Sequence, residues 1–231
     1  MRRLRLSICL LLIIILPCQA GAAADPEAVK RLEASLKTLT QIMASPRTVI
    51  PSALLQKASA VVIIPNMVKA SFLLGARYGR GVLMVREEDG RWGNPVFIIL
   101  GGGSFGLQLG LQSTDLVLVS RRGTMLDKRT RRNVMLGADA SIMVGVIGIQ
   151  MDENTSTDLG TEIYSFSQTT GLTAGFSLQG THLRLDDVST AALYGKSSVR
   201  AKDVLAGKVD TVSNEVLRFR ERFVRIAGST S

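Results

Sequence analysis

Apolar and polar positions alternate most regularly between Phe105 and Gln112. Phe105, Leu107, Leu109 and Leu111 interleave there with Gly106, Gln108, Gly110 and Gln112. A period of two puts the four apolar side chains on one face of an extended chain and predicts a strand with that face in a core. Residues 96–100 before it and 116–119 after it are short unbroken apolar runs, the pattern of strands covered on both faces. Gly101–Gly103 and Ser113-Thr114-Asp115 punctuate the three runs. They read as three consecutive antiparallel strands forming the central sheet of an α+β domain.

Towards both ends the period changes. Val29, Leu32, Leu36, Leu39 and Met43 recur at spacings of three and four, with Lys30, Arg31, Glu33 and Lys37 between them, and predict a helix over 25–45. Asp25 suits its N-cap, Pro26 its first turn and Glu27 the positive end of its dipole. Such a helix packs on the sheet or lies in a membrane interface; the lack of Trp and Phe favours the sheet. A second helix is expected over 211–227, with Val212, Val216, Phe219 and Val224 on one side and Arg218, Arg220, Arg222 and Arg225 around it. Shorter helices fit 53–58, which carries Lys57, and 199–206. Residues 60–64 form a β-branched run that Pro65 should stop. Residues 71–74 and 81–85 read as strands linked through 75–80, and Glu87-Glu88-Asp89-Gly90 as a solvated hairpin turn. Trp92, the only tryptophan, reads as a core anchor at the start of the sheet. Strand-like patterns return at 164–166, 173–178 and 183–185, and 191–195 closes a turn or short helix. The expected fold is a mainly antiparallel sheet, open to curling toward a barrel, with flanking N- and C-terminal helices.

The chain has 231 residues, 46% hydrophobic and 20% charged, enough for one sizeable core. Residues 25–231 are therefore taken as one domain. Residues 1–24 read as a secretory signal: Arg2, Arg3 and Arg5 form a basic head, 8–16 is an apolar run too short to span a bilayer comfortably, and small residues follow Pro17. Cleavage is expected after Ala20 or Ala24, delivering the protein to the periplasm or envelope. The alternative is a lipoprotein acylated on Cys18, for which the preceding Pro17 is a poor context. Both cysteines, Cys9 and Cys18, fall in this segment, so stability after cleavage rests on packing and not on disulfides. Losing the three arginines of the signal lowers the formal charge from +9 to +6. A basic exported protein suggests an anionic partner, and membrane phospholipid is the nearest one.

Six cations crowd one stretch, Arg121, Arg122, Lys128, Arg129, Arg131 and Arg132, against the single acid Asp127. Near an anionic bilayer each is worth about 1 kcal/mol, fading over roughly a Debye length of about 10 Å. On a helix, Lys128, Arg131 and Arg132 share a face. These six are the first candidates for binding lipid headgroups; Lys57, Lys69, Arg77 and Arg80 are a second set. The competing readings are a solvated charged loop, and a structural or self-assembling role in which the glycine-rich sheet is the interface of a homo-oligomer. Nucleic acid fits poorly, since the stretch has no aromatic residues for stacking and the signal removes the chain from DNA.

Catalytic signatures are weak. His182 is the sole histidine and no cysteine remains after cleavage, so neither an enzyme nor a catalytic residue is expected. With one histidine and no cysteine after cleavage, no zinc site is expected. Asp152, Asn154, Ser156 and Asp158 alternate like calcium ligands, yet the loop lacks the glycine at its sixth position and has Ile163 where a bidentate glutamate belongs. The G-G-G-S-F-G segment lacks a G-K-[ST] ending and leads into a strand, so no nucleotide or other cofactor is implied.

Several ordered motifs remain: Ile63-Ile64-Pro65, Gly79-Arg80-Gly81, Trp92-Gly93-Asn94-Pro95, residues 102–106, 108–110 and 113–118, then Tyr164-Ser165, Gly171-Leu172, Ala174-Gly175, Gly180 and Tyr194-Gly195. Together they resemble the SYLF domain family over roughly residues 30–207. That family includes yeast and animal endocytic proteins that bind phosphoinositides, some of which bind or bundle actin, and exported bacterial proteins. The resemblance implies lipid binding through basic residues, sometimes helped by an amphipathic N-terminal segment. The chain departs from the pattern at Gly93, where serine is frequent, and at Gln168, where lysine is. An exported protein meets neither actin nor, in a bacterium, phosphoinositides; anionic phospholipid is the ligand that carries over.

Overall fold

The β-branched run that begins at Ala60 sets the architecture, because both edges of the strand it forms are paired. The computed structural model describes residues 24–45, 50–72, 74–105, 110–121, 133–136, 141–144, 161–170, 181–209 and 212–228. Helices α1 (Pro26–Ala44) and α2 (Ser52–Gln56) precede strands β1 (Ala60–Phe72), β2 (Leu74–Val85), β3 (Val96–Phe105), β4 (Gly110–Ser120), β5 (Asn133–Leu136), β6 (Ser141–Val144), β7 (Thr161–Thr170) and β8 (Thr181–Leu185). Helices α3 (Asp187–Tyr194), α4 (Ala201–Leu205) and α5 (Asn214–Gly228) follow.

The sheet order is β5-β8-β3-β2-β1-β4-β7-β6. The inner six strands, β8 to β7, are antiparallel throughout. Short β5 and β6 form the outer edges, β6 running parallel to β7. The α+β expectation holds, and the sheet of the described residues is open, not closed into a barrel.

The strand order corrects the expected central triplet. β3 and β4 are not neighbours: β2 and β1 lie between them. The alternating stretch 105–112 is divided, Phe105 ending β3 and Gly110 opening β4, with 106–109 outside the described residues. Gly101–Gly103 does not break the ladder but pairs with 76–78, and Ser113-Thr114-Asp115 continues β4. Residues 75–80 lie inside β2 and do not link two strands. Alternation reports which face a residue takes; it carries no information on which strand lies alongside.

Pro65 does not end β1. It sits in a bulge, where β1 carries one more residue than either partner between Ile64 and Met67. The extra residue, Asn66, takes the left-handed conformation at φ 49°, and its N–H donates to Asp115 Oδ1 at 2.8 Å. The bulge removes the need for the N–H that proline lacks. It also accounts for Gly79-Arg80-Gly81 on the facing strand. A Cβ at Gly79 would lie 2.6 Å from Ile64 Cγ2, and one at Gly81 would overlap the Ile63 carbonyl oxygen.

Phe166, Val117, Ile63, Val82 and Phe97 are successive register partners across five strands. Helix α1 lies over this face, its Arg31 guanidinium 4.8 Å from the Phe97 ring centroid. Asp25 Oδ1 caps the helix by accepting from the N–H groups of Glu27 and Ala28 at 2.8 and 3.2 Å. Leu32, Leu36, Leu39 and Ile42 are buried, so the apolar side of α1 is spent on the sheet and not on a membrane interface. Helix α5 packs through Val216, Phe219, Phe223 and Ala227. Val224, expected inside, is exposed, and Phe223 takes its place against Trp92 with ring centroids 5.0 Å apart. Edge-to-face pairs of this kind contribute about 0.5–1.5 kcal/mol beyond area burial.

The bulge yields a stability prediction. Gly81→Ala must displace the Ile63 backbone, and about 1–3 kcal/mol of loss is expected from chemical denaturation. Gly101→Ala, whose nearest new contact is 3.9 Å away, should change stability by less than about 1 kcal/mol.

Candidate functional site

Lys57 and Arg121 come together at the end of the sheet where β1 begins and β4 ends. The Ser59 N–H and hydroxyl both donate to the Ser120 carbonyl, at 2.7 and 3.1 Å, which sets the C-terminal residue of α2 beside the exit of β4. Lys57 is the C-cap of α2 and Arg121 follows Ser120; both are exposed. On helix α5, Arg222 and Arg225 are exposed and three apart on the outer side. Arg218, one turn earlier, is paired with Glu215 at 3.0 Å. Among the described residues Lys57, Arg121, Arg222 and Arg225 make no ion pair.

Between α5 and the turn joining β2 to β3 lies a cleft of about 620 Å³. Arg86 builds its wall. Its Nε donates to the Ala58 carbonyl at 2.9 Å, Nη1 to Gly90 at 2.6 Å, and Nη2 to Leu55 and Gln56 at 3.3 and 3.4 Å. Its guanidinium also lies 4.3 Å from the Trp92 ring centroid. Burial holds its pKa below the usual guanidinium value, and the four carbonyls and the indole face compensate the charge without neutralising it. The turn is closed by the Glu87 N–H donating to Arg91 and the Gly90 N–H to Glu87, with Gly90 at φ 84°. Arg91 is paired with Asp89 at 2.7 Å, and its backbone N–H, donating to Asp89 Oδ1 at 2.9 Å, together with its side chain holds the Asp89 carboxyl below its usual pKa. Arg220 gives one N–H to Asn94 Oδ1 at 3.1 Å and lines the cleft. Trp92, Val224 and Ala227 supply apolar wall, and Glu87 a single carboxylate.

The other candidates sit elsewhere. Lys69 and Arg77 are cross-strand partners on the sheet face opposite α1. Arg77 is 6% exposed, with Nη1 3.4 Å from Thr181 Oγ1, and burial lowers its pKa. Arg80 is on the α1 face, held by Asp186 at 3.2 Å and Ser189 Oγ at 2.9 Å. Arg80 is therefore a tie between β2 and α3, whose N-cap is Asp186. Burial pushes the Asp186 pKa up, but the Ser189 N–H and hydroxyl and the Arg80 guanidinium outweigh it, leaving the carboxyl below its usual value. Arg122, Lys128, Arg129, Arg131 and Arg132 lie outside the described residues, as do 152–158 and almost all of the predicted targeting segment. Arg222 and Arg225 are named in the sequence only as the polar side of a predicted helix and not among the binding candidates, although their spacing of three is a usable signal.

No three His, Cys, Asp or Glu side chains cluster among the described residues, and no described helix is long and apolar enough to cross a membrane. The fold and its basic cleft define an α+β domain with a cationic end. The chain belongs to the Ysc84 family, the SYLF group: residues 101–222 match the family described as Ysc84, Las17-binding protein actin regulator. It is similar to SH3 domain-containing YSC84-like protein 1 of Bos taurus, 29% identical over 78% of this chain and 53% of that protein. An SH3 domain-containing protein of Schizosaccharomyces pombe is 32% identical over 70% of this chain and 38% of its own length. LAS seventeen-binding protein 3 of Saccharomyces cerevisiae is 26% identical over 84% of this chain and 42% of that protein. The chain thus spans about half or less of the curated relatives it matches.

The Asp186 cluster gives a pH prediction. A carboxyl whose folded pKa is depressed adds stability that is complete above its unfolded value of about 3.9 and is lost as pH falls through the lower folded value. Asp186→Asn, which keeps a capping side chain, should cost about 1–2 kcal/mol at pH 7. The gap from wild type should narrow progressively as pH falls below the unfolded value of about 3.9, in thermal melts across pH.

Proposed function

We propose that this protein is a non-catalytic module that docks on anionic phospholipid at the cell envelope through the end of the sheet that carries Lys57, Arg121, Arg222 and Arg225. The observation behind this reading is that these four exposed cations, Lys57 and Arg121 at one end of the sheet and Arg222 and Arg225 on the outer side of α5, have no carboxylate partner among the described residues. At about 1 kcal/mol each they supply roughly 4 kcal/mol at low salt, and Arg122, next in sequence to Arg121, extends the same run. Membership of the Ysc84 family supports a binding role. The names of the relatives point to Las17 and actin; the secretory signal read in residues 1–24 favours lipid for this chain. Vesicle flotation tests the proposal. Binding to phosphatidylglycerol vesicles but not to phosphatidylcholine vesicles is expected, weakening steeply from 0.05 to 0.5 M salt. Joint replacement of Lys57, Arg121, Arg222 and Arg225 by glutamine should weaken it by about 100- to 1000-fold. Equal binding by the quadruple variant, or equal binding to neutral vesicles, overturns the site.

A second reading, self-association through the sheet, has its own observation. Val68 and Tyr78 are cross-strand partners, 42% and 52% exposed, on a part of the α1 face where Ala70 and Ala76 are exposed as well. Gly101 lies opposite Tyr78 and adds no side chain. A concentration-dependent dimer in analytical ultracentrifugation, abolished by Tyr78→Lys, supports it; a monomer at about 100 μM, where even a weak Kd of about 10 μM would show, rules it out.

A further inference from the structure

We propose that the cleft between α5 and the β2–β3 turn receives one phospholipid molecule, and that it selects a monoanionic phosphodiester. The inference rests on the lipid reading above and specifies how that end of the domain engages its ligand. The volume of about 620 Å³ lies within the range of small-molecule sites, about 300–1000 Å³. Its walls are divided as a phospholipid is divided. Trp92, Val224 and Ala227 offer an apolar side for glycerol and the first methylenes, and Arg220 and Gln56 offer polar groups. Arg220 gives one N–H to Asn94, which orients the guanidinium and leaves the rest of its fork for phosphate oxygens.

The charges of the lining specify the ligand further. Arg91 is neutralised by Asp89, and Arg86 is held by carbonyl oxygens that leave its charge intact. Glu87 offsets one of the two remaining guanidinium charges, so the cleft retains about one positive charge. One phosphodiester balances it. A phosphomonoester with a second charge meets the Glu87 carboxylate, and a zwitterionic headgroup adds a cation beside Arg220.

Trp92 is the only tryptophan of the chain, so its emission reports on this cleft alone. The probe is dihexanoyl phosphatidylglycerol, titrated into the full chain below its critical micelle concentration. A saturable shift in Trp92 emission with one-to-one stoichiometry is expected. It should weaken at least tenfold in Arg220→Gln and in Val224→Glu, the latter an exposed position where misfolding is not expected; circular dichroism and melting temperature check both variants. Equal response to dihexanoyl phosphatidylcholine, or tighter binding of short-chain phosphatidic acid, overturns the charge assignment. The same shift with inorganic phosphate alone reduces the site to an anion site and overturns the lipid assignment. A second arm uses phosphatidylglycerol vesicles brominated on the acyl chains, which should quench Trp92. Salt-sensitive vesicle binding with neither quenching nor a short-chain response overturns the cleft and leaves surface docking standing. No vesicle binding at all overturns both.

Discussion

Every feature of this domain follows from the demand that a long, apolar hairpin have both of its edges paired. β1 and β2 bury Val61, Val62, Ile63, Ile64, Val82, Leu83 and Met84 with no exposure. Their outward N–H and C=O groups are in the same apolar surroundings, and unpaired buried backbone groups cost about as much as lost hydrogen bonds. Extended chain is therefore required on each side. β3 satisfies β2 and β4 satisfies β1, which separates two strands that are adjacent in sequence. The bulge at Pro65 and Asn66 shifts the β1 register by one residue against both flanking strands, and the two glycines of β2 leave room for the Ile63 backbone and the Ile64 side chain.

Helices then settle where the sheet leaves apolar surface. α1 covers one face at the level of Phe97, and α5 closes the end at Trp92 and Phe223. Arg86 links the two sides of that end by bonding carbonyls of α2 and of the turn while lying on the indole. The cleft is what remains between these parts, and the cations that line it come from the β2–β3 turn and from α5, elements distant in the chain.

Local structure was legible in the sequence wherever a short-range cause dictates it. Asp25, Pro26 and Glu27 marked the start of α1, Gly90 the turn, and Trp92 the anchor. Partnership was less legible. Pro65 looked like a stop because proline ends strands that have no bulge, and Gly101–Gly103 looked like a break because glycine weakens strands on average. In α5 the sequence set Val224 with the apolar residues, whereas its neighbour Phe223 is the one buried, because Phe223 and not Val224 falls in line with Val216 and Phe219. The charged sites were read by their density along the chain. Arg80 and Asp186 meet across 106 positions, and no local pattern reports that. The approach of Lys57 to Arg121, through the Ser59–Ser120 contact, is likewise a product of the fold alone.

Arg86 carries a consequence beyond stability. By fastening α2, the turn and the tryptophan ring to one planar group, it makes the cleft wall rigid before any partner arrives. The entropy of ordering that wall is lost at folding and not at encounter. Recognition at such a wall is governed by complementarity of shape already in place. A lysine there would keep the charge, but with a flexible stem and no planar fork it would leave a soft wall that each visitor must first straighten.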